Sequence, residues 1–230
     1  MSSAVSIENL GKRFRRVSPG RQSLIGRLRR TLSSDEETRD VWALRGVTLD
    51  VARGACLAIS GPNGAGKTTL LKLISGIFAP SEGRIVVTGK TNAFFQIGAG
   101  FQRDLSVRDN VEIAGILMGL TRHEILDRMD TILGFSGLDR VSNIRAAELS
   151  AGQQARMAVS TALHTDLDIL LIDEILSVGD ADFRERCLSA FEKIRAAGKT
   201  VLIASHDEVL LERVGTERLE IADGRARILK

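Results

Sequence analysis

The chain has no tyrosine, one tryptophan (Trp42) and two cysteines among its 230 residues. Cys56 and Cys187 lie far apart and in no metal-ligand spacing, which excludes a zinc module or a disulfide framework and leaves two reduced core residues. No uncharged apolar run approaches the roughly 20 residues of a membrane-spanning helix. Met1-Ser2-Ser3 opens no signal peptide, so the expected location is cytoplasmic or on the cytoplasmic face of another component. Charge of one sign is not in excess: 32 basic against 29 acidic residues leave +3, too little to make nucleic acid the main partner. Tandem repeats and low-complexity segments are absent. What is present is a 43% apolar, 27% charged chain, long enough for one sizeable core over 1–230 with an inserted subdomain.

The stretch that organises it is Ser60-Gly61-Pro62-Asn63-Gly64-Ala65-Gly66-Lys67-Thr68-Thr69, between the apolar run Ala55 to Ile59 and the helix-patterned Leu70, Leu71, Leu73, Ile74 and Ile77. It matches G-x-x-x-x-G-K-[ST] between a predicted strand and a predicted helix. Glycines let successive backbone N–H groups turn onto a β-phosphate, and the helix N-terminus adds its positive dipole end. Lys67 then neutralises β/γ charge, and the Thr68 hydroxyl takes a position on Mg²⁺. The chain is therefore expected to bind a nucleoside triphosphate.

Ahead of this loop, strands are expected at Val5 to Leu10 and Ala43 to Val51, flanking a basic insertion over 15–41. Within it, Arg21 to Leu32 puts Leu24, Ile25, Leu28 and Leu32 on one helical face, with Arg21, Arg27, Arg29 and Arg30 elsewhere. Such a segment either covers its own domain or meets lipid headgroups or a membrane-embedded partner. Beyond the loop, strands are expected at Arg84 to Val87 and Ala93 to Ile97. A helical block over 101–165 then interrupts the α/β pattern: Ser106 with Asp109, and Thr121 with Glu124, form capping signals, the second ahead of Ile125, Leu126, Met129, Ile132 and Leu133. The pattern resumes with strand Asp168 to Ile172 and a helix capped by Asp182 with Glu185. Strand Thr200 to Ala204 follows, then a hairpin of Leu219 to Ala222 with Arg225 to Leu229 through Asp223-Gly224.

Asp173 ends an apolar strand, where a carboxylate can hold the Mg²⁺ that bridges β- and γ-phosphates, with the phosphate loop expected on a neighbouring strand. Glu174 follows it and can polarise a water for in-line attack. Glu148-Leu149-Ser150-Ala151-Gly152-Gln153 precedes a further helix. Ser150 and the Gly152 backbone present donors at its N-terminus, by the same anion-binding logic as the phosphate loop. Two phosphate sites in one chain are accounted for by a dimer that sandwiches ATP between opposite subunits.

Gly61 to Thr68, Leu149 to Gln153, Ile169 to Glu174 and Ser205-His206, in that order, resemble the nucleotide-binding subunit of ABC transporters over nearly the whole chain. The resemblance implies the α/β ABC-ATPase fold of the P-loop NTPases, with a mixed sheet core, N-terminal antiparallel strands and an inserted helical subdomain. It implies ATP and Mg²⁺ as cofactors and a membrane permease as partner. His206 matches the switch histidine on the γ-phosphate, and Asp180 the loop aspartate that crosses the dimer interface. Gln96 matches the lid glutamine at the metal that couples nucleotide to the partner. Phe14 matches the adenine-stacking ring, with Trp42 as the other aromatic candidate. Ala151 stands where the family has glycine.

Gln96-Ile97-Gly98-Ala99-Gly100-Phe101, Leu105 to Asn110 and Asp173 to Phe183 are similar to the subunits that power bacterial exporters of O-antigen, capsule and teichoic acid, as are the basic insertion and Val41 to Arg45. A lipid-linked glycan is the substrate this implies; an exporter of lipids, drugs or ions is the alternative. A soluble ABC ATPase would call for a coiled-coil insertion or a second cassette, and a small-molecule kinase leaves Leu149 to Gln153 and His206 without a role. Some members of the glycan group carry a C-terminal β-sandwich that reads the glycan. None is expected within 1–230, which assigns substrate selection to the membrane subunit or to the glycan-synthesising enzymes. Phe101 is expected either to anchor the partner's helix or to sit in the core.

Overall fold

The computed structural model describes residues 3–16, 39–94, 101–173 and 180–229. The expected insertion helix, Gln96 and Glu174 lie outside them. Strands β1 (Ser3–Arg16), β2 (Arg39–Ala52) and β4 (Glu82–Val87) form a three-stranded antiparallel sheet in the order β2-β1-β4. At its centre Val5 faces Val51 and Val87, while Ile7 faces Leu49 and Ile85. Both strands run well past the expected bounds, because the β1–β2 ladder continues through Phe14↔Val41 to Arg16↔Arg39. Residues 15, 16 and 39–41 of the expected insertion are therefore strand. Arginine-rich composition hid this: cross-strand pairing, including the Arg13–Asp40 ion pair at 3.2 Å, overrides a weak apolar pattern.

The second sheet has the order β5-β6-β7-β3-β8-β9, with β3 (Cys56–Ser60), β5 (Thr91–Phe94), β6 (Ile169–Asp173), β7 (Thr200–Ala204), β8 (Glu217–Ala222) and β9 (Arg225–Leu229). Only β9 is antiparallel to its neighbour. Its central strands are apolar without alternation because both faces are covered. Leu57, Ile59, Ile169, Leu171, Leu202 and Ala204 point into one core, shared with the first sheet and helix α1 (Lys67–Ile74). Cys56, Ala58, Leu170, Ile172, Val201 and Ile203 point into another. That second core is closed by α4 (Ala151–Leu163), α5 (Ala181–Ala196) and α6 (Glu208–Val214). Burial pushes both thiols, Cys56 and Cys187, up to about 12, as core cysteines require.

Helices α2 (Val107–Leu117) and α3 (Arg122–Ser136) pack with the start of α4 around a third core of Val107, Val111, Ile125, Met129 and Met157. Ser106 and Thr121 each cap their helix in a reciprocal box with Asp109 and Glu124. Leu126 and Ile77, both expected on buried faces, are 40% and 57% exposed; Ile77 lies past the end of α1. Phe101 is half-buried and packs against the second and third cores at once, joining the helical block to the α/β core.

The cap of α5 is Asp180, not Asp182: its side chain accepts the Phe183 N–H at 2.8 Å. Helix α6 was missed, although Asp207 caps it and Leu210, Leu211 and Val214 form its buried face; its few residues give little periodicity.

Candidate nucleotide-binding site

The phosphate loop turns from β3 into α1 through two glycines, Gly61 and Gly66, where both the backbone and its neighbours oppose a side chain. At Gly61 φ is 138°, and a Cβ there would lie 2.1 Å from the Ile221 carbonyl oxygen of β8. At Gly66, the residue before α1, φ is 115°, and a Cβ would lie 2.6 Å from the Ala43 carbonyl oxygen of β2. The loop is thus held between the first sheet and the terminal hairpin, whose Gly224 carbonyl accepts the Arg45 N–H at 2.8 Å. Pro62, Asn63 and Gly64 are exposed at its mouth, while Ala65, Gly66 and Lys67 are buried. Lys67 Nζ donates to the Gly61 and Pro62 carbonyls at 2.6 and 3.1 Å. An ammonium has three donors, so Lys67 is held by the loop's own carbonyls and keeps a proton for an anionic oxygen. Thr68 and Thr69 follow in the first turn of α1, half-buried.

The C-terminal ends of three strands meet beside this loop. Ile59 of β3 pairs with Ala204 of β7, and Ala204 pairs with Asp173 of β6. The expected adjacency of Asp173 to the loop strand is therefore corrected: β7 intervenes, and at about 4.8 Å per strand Asp173 sits roughly 10 Å across. That gap is where Ser205-His206 leaves β7. The Ser205 N–H donates to the Ile59 carbonyl at 3.2 Å, and its Oγ accepts the Asp207 N–H at 3.0 Å, which fixes the turn carrying the exposed His206. Helix α1 packs against β6, so Thr68 and Asp173 belong to abutting elements.

A hydroxyl and a single carboxylate are hard oxygen donors of the kind Mg²⁺ takes when phosphates complete its shell. No group of three or more His, Cys, Asp or Glu side chains that could hold a metal alone occurs among the described residues. The narrow glycine cradle and this donor set fit a metal-bound polyphosphate.

Ser150 caps α4, its Oγ accepting the Gln153 N–H at 3.3 Å while Gln153 Oε1 accepts the Ser150 N–H at 2.9 Å. Ser150 and Ala151 are exposed and Gly152 half-exposed. This helix end belongs to the third core through Leu149 and Met157, whereas α1 belongs to the first through Leu70 and Leu71. Asp180 is exposed, and its second oxygen accepts from Arg156 of α4 at 3.2 Å. The two candidate aromatics lie on opposite faces of the β1–β2 ribbon, Phe14 opposite Val41 and Trp42 opposite Arg13. Phe14 is 38% exposed and meets Phe78 edge-on at 5.4 Å. Trp42 is half-buried, with the Arg13 and Arg45 guanidinium groups 5.9 and 5.3 Å from its ring.

Residues 44–177 match the ABC transporter family, ABC_tran. The chain belongs to this family. It is similar to the O-antigen export system ATP-binding protein RfbB of Myxococcus xanthus, 39% identical over 91% of this chain and 49% of that protein. It is also similar to the protein of the same name from Klebsiella pneumoniae, 33% identical over 82% of this chain and 77% of that one. The teichoic acids export ATP-binding protein TagH of Lactococcus lactis is 37% identical over 81% of this chain and 38% of its own length. The chain thus spans about half or less of two of these relatives. Among solved structures, a dimeric ATP-binding cassette in a post-hydrolysis state with ADP and Pi has the same fold, with a TM-score of 0.80 at 24% identity over 98% of both chains.

For an ABC cassette the departure at Ala151 is mild. Its exposed position lets the methyl group point to solvent, and the Ser150 cap and Gly152 are kept.

Proposed function

We propose that this chain binds ATP with Mg²⁺, hydrolyses it in a two-chain sandwich and thereby drives export of a lipid-linked polysaccharide through a membrane permease. The observation that carries the sandwich is the separation just described. Ser150 and Gly152 form an exposed helix end with donors for an anion, and that helix end is anchored through Leu149 and Met157 in a different core from the one that holds α1. A second copy supplies what one chain holds apart.

In this reading, Gly61 to Thr69 cradle the β-phosphate, Lys67 neutralises β/γ charge, and Ser150 with Gly152 close on the γ-phosphate from the opposite subunit. Thr68, Asp173 and Gln96 hold the metal, which when bound neutralises phosphate charge. Glu174 takes the proton of the attacking water, His206 contacts the γ-phosphate, Asp180 lies along the dimer interface, and Phe14 stacks on adenine. No helix among the described residues is long and apolar enough to cross a membrane, and attachment to the cytoplasmic face through the permease is part of the proposal. The export substrate rests on the names of the relatives, O-antigen and teichoic acids.

Sedimentation of Glu174→Gln with and without Mg-ATP tests this. A stable dimer that forms only with nucleotide is expected, because the binding residues are intact while water activation is lost. A variant that binds ATP and stays monomeric overturns the sandwich.

A further inference from the structure

On another part of the molecule, a cavity of about 580 Å³ opens between α3, the end of α4 and α5. A smaller recess of about 200 Å³, lined by Ala162, Thr165, Leu167, Leu170, Ala197 and Lys199, shares Leu163, Lys193 and Ile194 with it; its Thr165 hydroxyl donates to the Ala162 carbonyl and its Lys199 is paired with Asp166 at 2.6 Å. The larger cavity lies within the range of small-molecule sites, about 300–1,000 Å³. One wall is aromatic: Phe135 and His164 meet edge-on at 5.3 Å, with the buried Phe183 ring behind Phe135 at 5.8 Å. The Arg186 guanidinium lies 5.9 Å from the Phe135 ring and 5.7 Å from that of Phe183.

Charge in the cavity is unbalanced. Glu185 is the one carboxylate in its lining, and Arg213, from outside the lining, holds it through two bonds of 2.6 and 2.8 Å. That hydrogen-bonded pair keeps the Glu185 carboxyl below its usual range, so it remains committed to Arg213. Arg186 and Lys193 therefore present positive charge beside the Phe135 ring, next to a smaller, mostly apolar recess. A cation pair at the mouth and hydrocarbon behind it is the complement of an amphiphile with an acidic head.

We propose that this cavity binds a single-chain anionic amphiphile, with its carboxylate or phosphate on Arg186 and Lys193 and its alkyl chain passing Leu163 and Ile194 into the recess. The site is placed to be felt at the nucleotide site. Helix α4 lines it with its C-terminal end and α5 from Glu185 to Ile194, while Ser150 and Asp180 cap the N-termini of the same helices.

Equilibrium dialysis on the whole chain without nucleotide tests the proposal independently of ATP hydrolysis. Decanoate and decyl phosphate are the probes, kept below their micelle thresholds, with decanol and acetate as controls. One saturable site is expected, tightening from hexanoate to decanoate by up to about fourfold per methylene. Comparison of the two decyl probes tells carboxylate from phosphate preference. Decanol, and the probes on the Arg186→Glu/Lys193→Glu variant, should bind at least about tenfold more weakly, the scale of a lost charge-assisted bond. Ser189→Trp, an exposed α5 position in the lining, should block the cavity and decides the matter if the double variant does not fold. The proposal is overturned if the wild type shows no saturable site, if decanol matches decanoate, or if a folded variant binds like the wild type.

Discussion

Arg156 of α4 donates from Nη1 to Asp180 Oδ2 at 3.2 Å, while Asp180 Oδ1 accepts the Phe183 N–H at 2.8 Å. One carboxylate thereby ties the beginning of the helix that Ser150 caps to the beginning of α5. Arg156 is 21% exposed and Asp180 60%, so water screens the pair and its net worth is small. A double-mutant cycle on Arg156→Ala and Asp180→Asn should give a coupling of about 0.5–1 kcal/mol in urea unfolding. No measurable coupling would mean that the contact does not hold the two helices together.

Substitution of the loop glycines should separate steric from conformational cost. Gly61→Ala drives a methyl group against the Ile221 carbonyl and should destabilise by at least about 2 kcal/mol. Gly64→Ala meets nothing within 4 Å but keeps φ at 80°, so about 1 kcal/mol is expected. Urea melts of both variants read the difference, and equal losses would contradict the wall formed by β8.

If Phe14 carries the adenine, Phe14→Ala should weaken ATP binding by about tenfold, within the range of one base stack, and leave inorganic triphosphate untouched. Trp42, between its two arginines, should change its emission little on ATP binding. An unaltered ATP affinity in the variant, with a large Trp42 signal, would move the adenine to the other face of the ribbon.

Much of this was legible in the sequence, and the exceptions have causes. The phosphate loop and the two capping boxes announce themselves because chemistry fixes residue type at each position, as at Lys67, Ser106 with Asp109 and Thr121 with Glu124. The buried strands did so because covering both faces demands uninterrupted apolar runs such as Ile169 to Ile172. What could not be read was non-local. Nothing in Asp173 says that β7 stands between it and Ile59, and nothing in Arg13 or Arg15 says that they lie opposite Trp42 and Asp40. The capping role of Asp180 over Asp182 was legible in principle, since Phe183 is the first buried residue of the helix and lies three positions on.

Acid should weaken the fold through three surface carboxylates. The Thr121 hydroxyl and N–H lower the pKa of Glu124, Lys199 lowers that of Asp166 through a 2.6 Å bond, and Arg213 lowers that of Glu185. Each folded-state value lies below the unfolded one, so the stabilisation is present above about pH 4–4.5 and is lost as pH falls through the folded values. Thermal melts should fall over that acid range, and less steeply in Glu185→Gln. A Glu185→Gln profile parallel to the wild type would remove this carboxylate from the account.

Both thiols should stay silent toward a thiol reagent near neutral pH until the chain unfolds, because burial holds Cys56 and Cys187 protonated. Titration before and after addition of guanidinium checks this, and a reactive thiol in the folded protein would contradict their place in the second core.

The phosphate loop lies early in the chain but leans on Ile221, late in it, and on Ala43 of the first hairpin, itself bonded to the terminal turn through Arg45 and Gly224. On the ribosome, the loop is synthesised long before its far wall exists. A nascent chain lacking β8 has the residues of the cradle without the surface that shapes it. Nucleotide that needs the shaped cradle can therefore stabilise the chain only once β8 is in place.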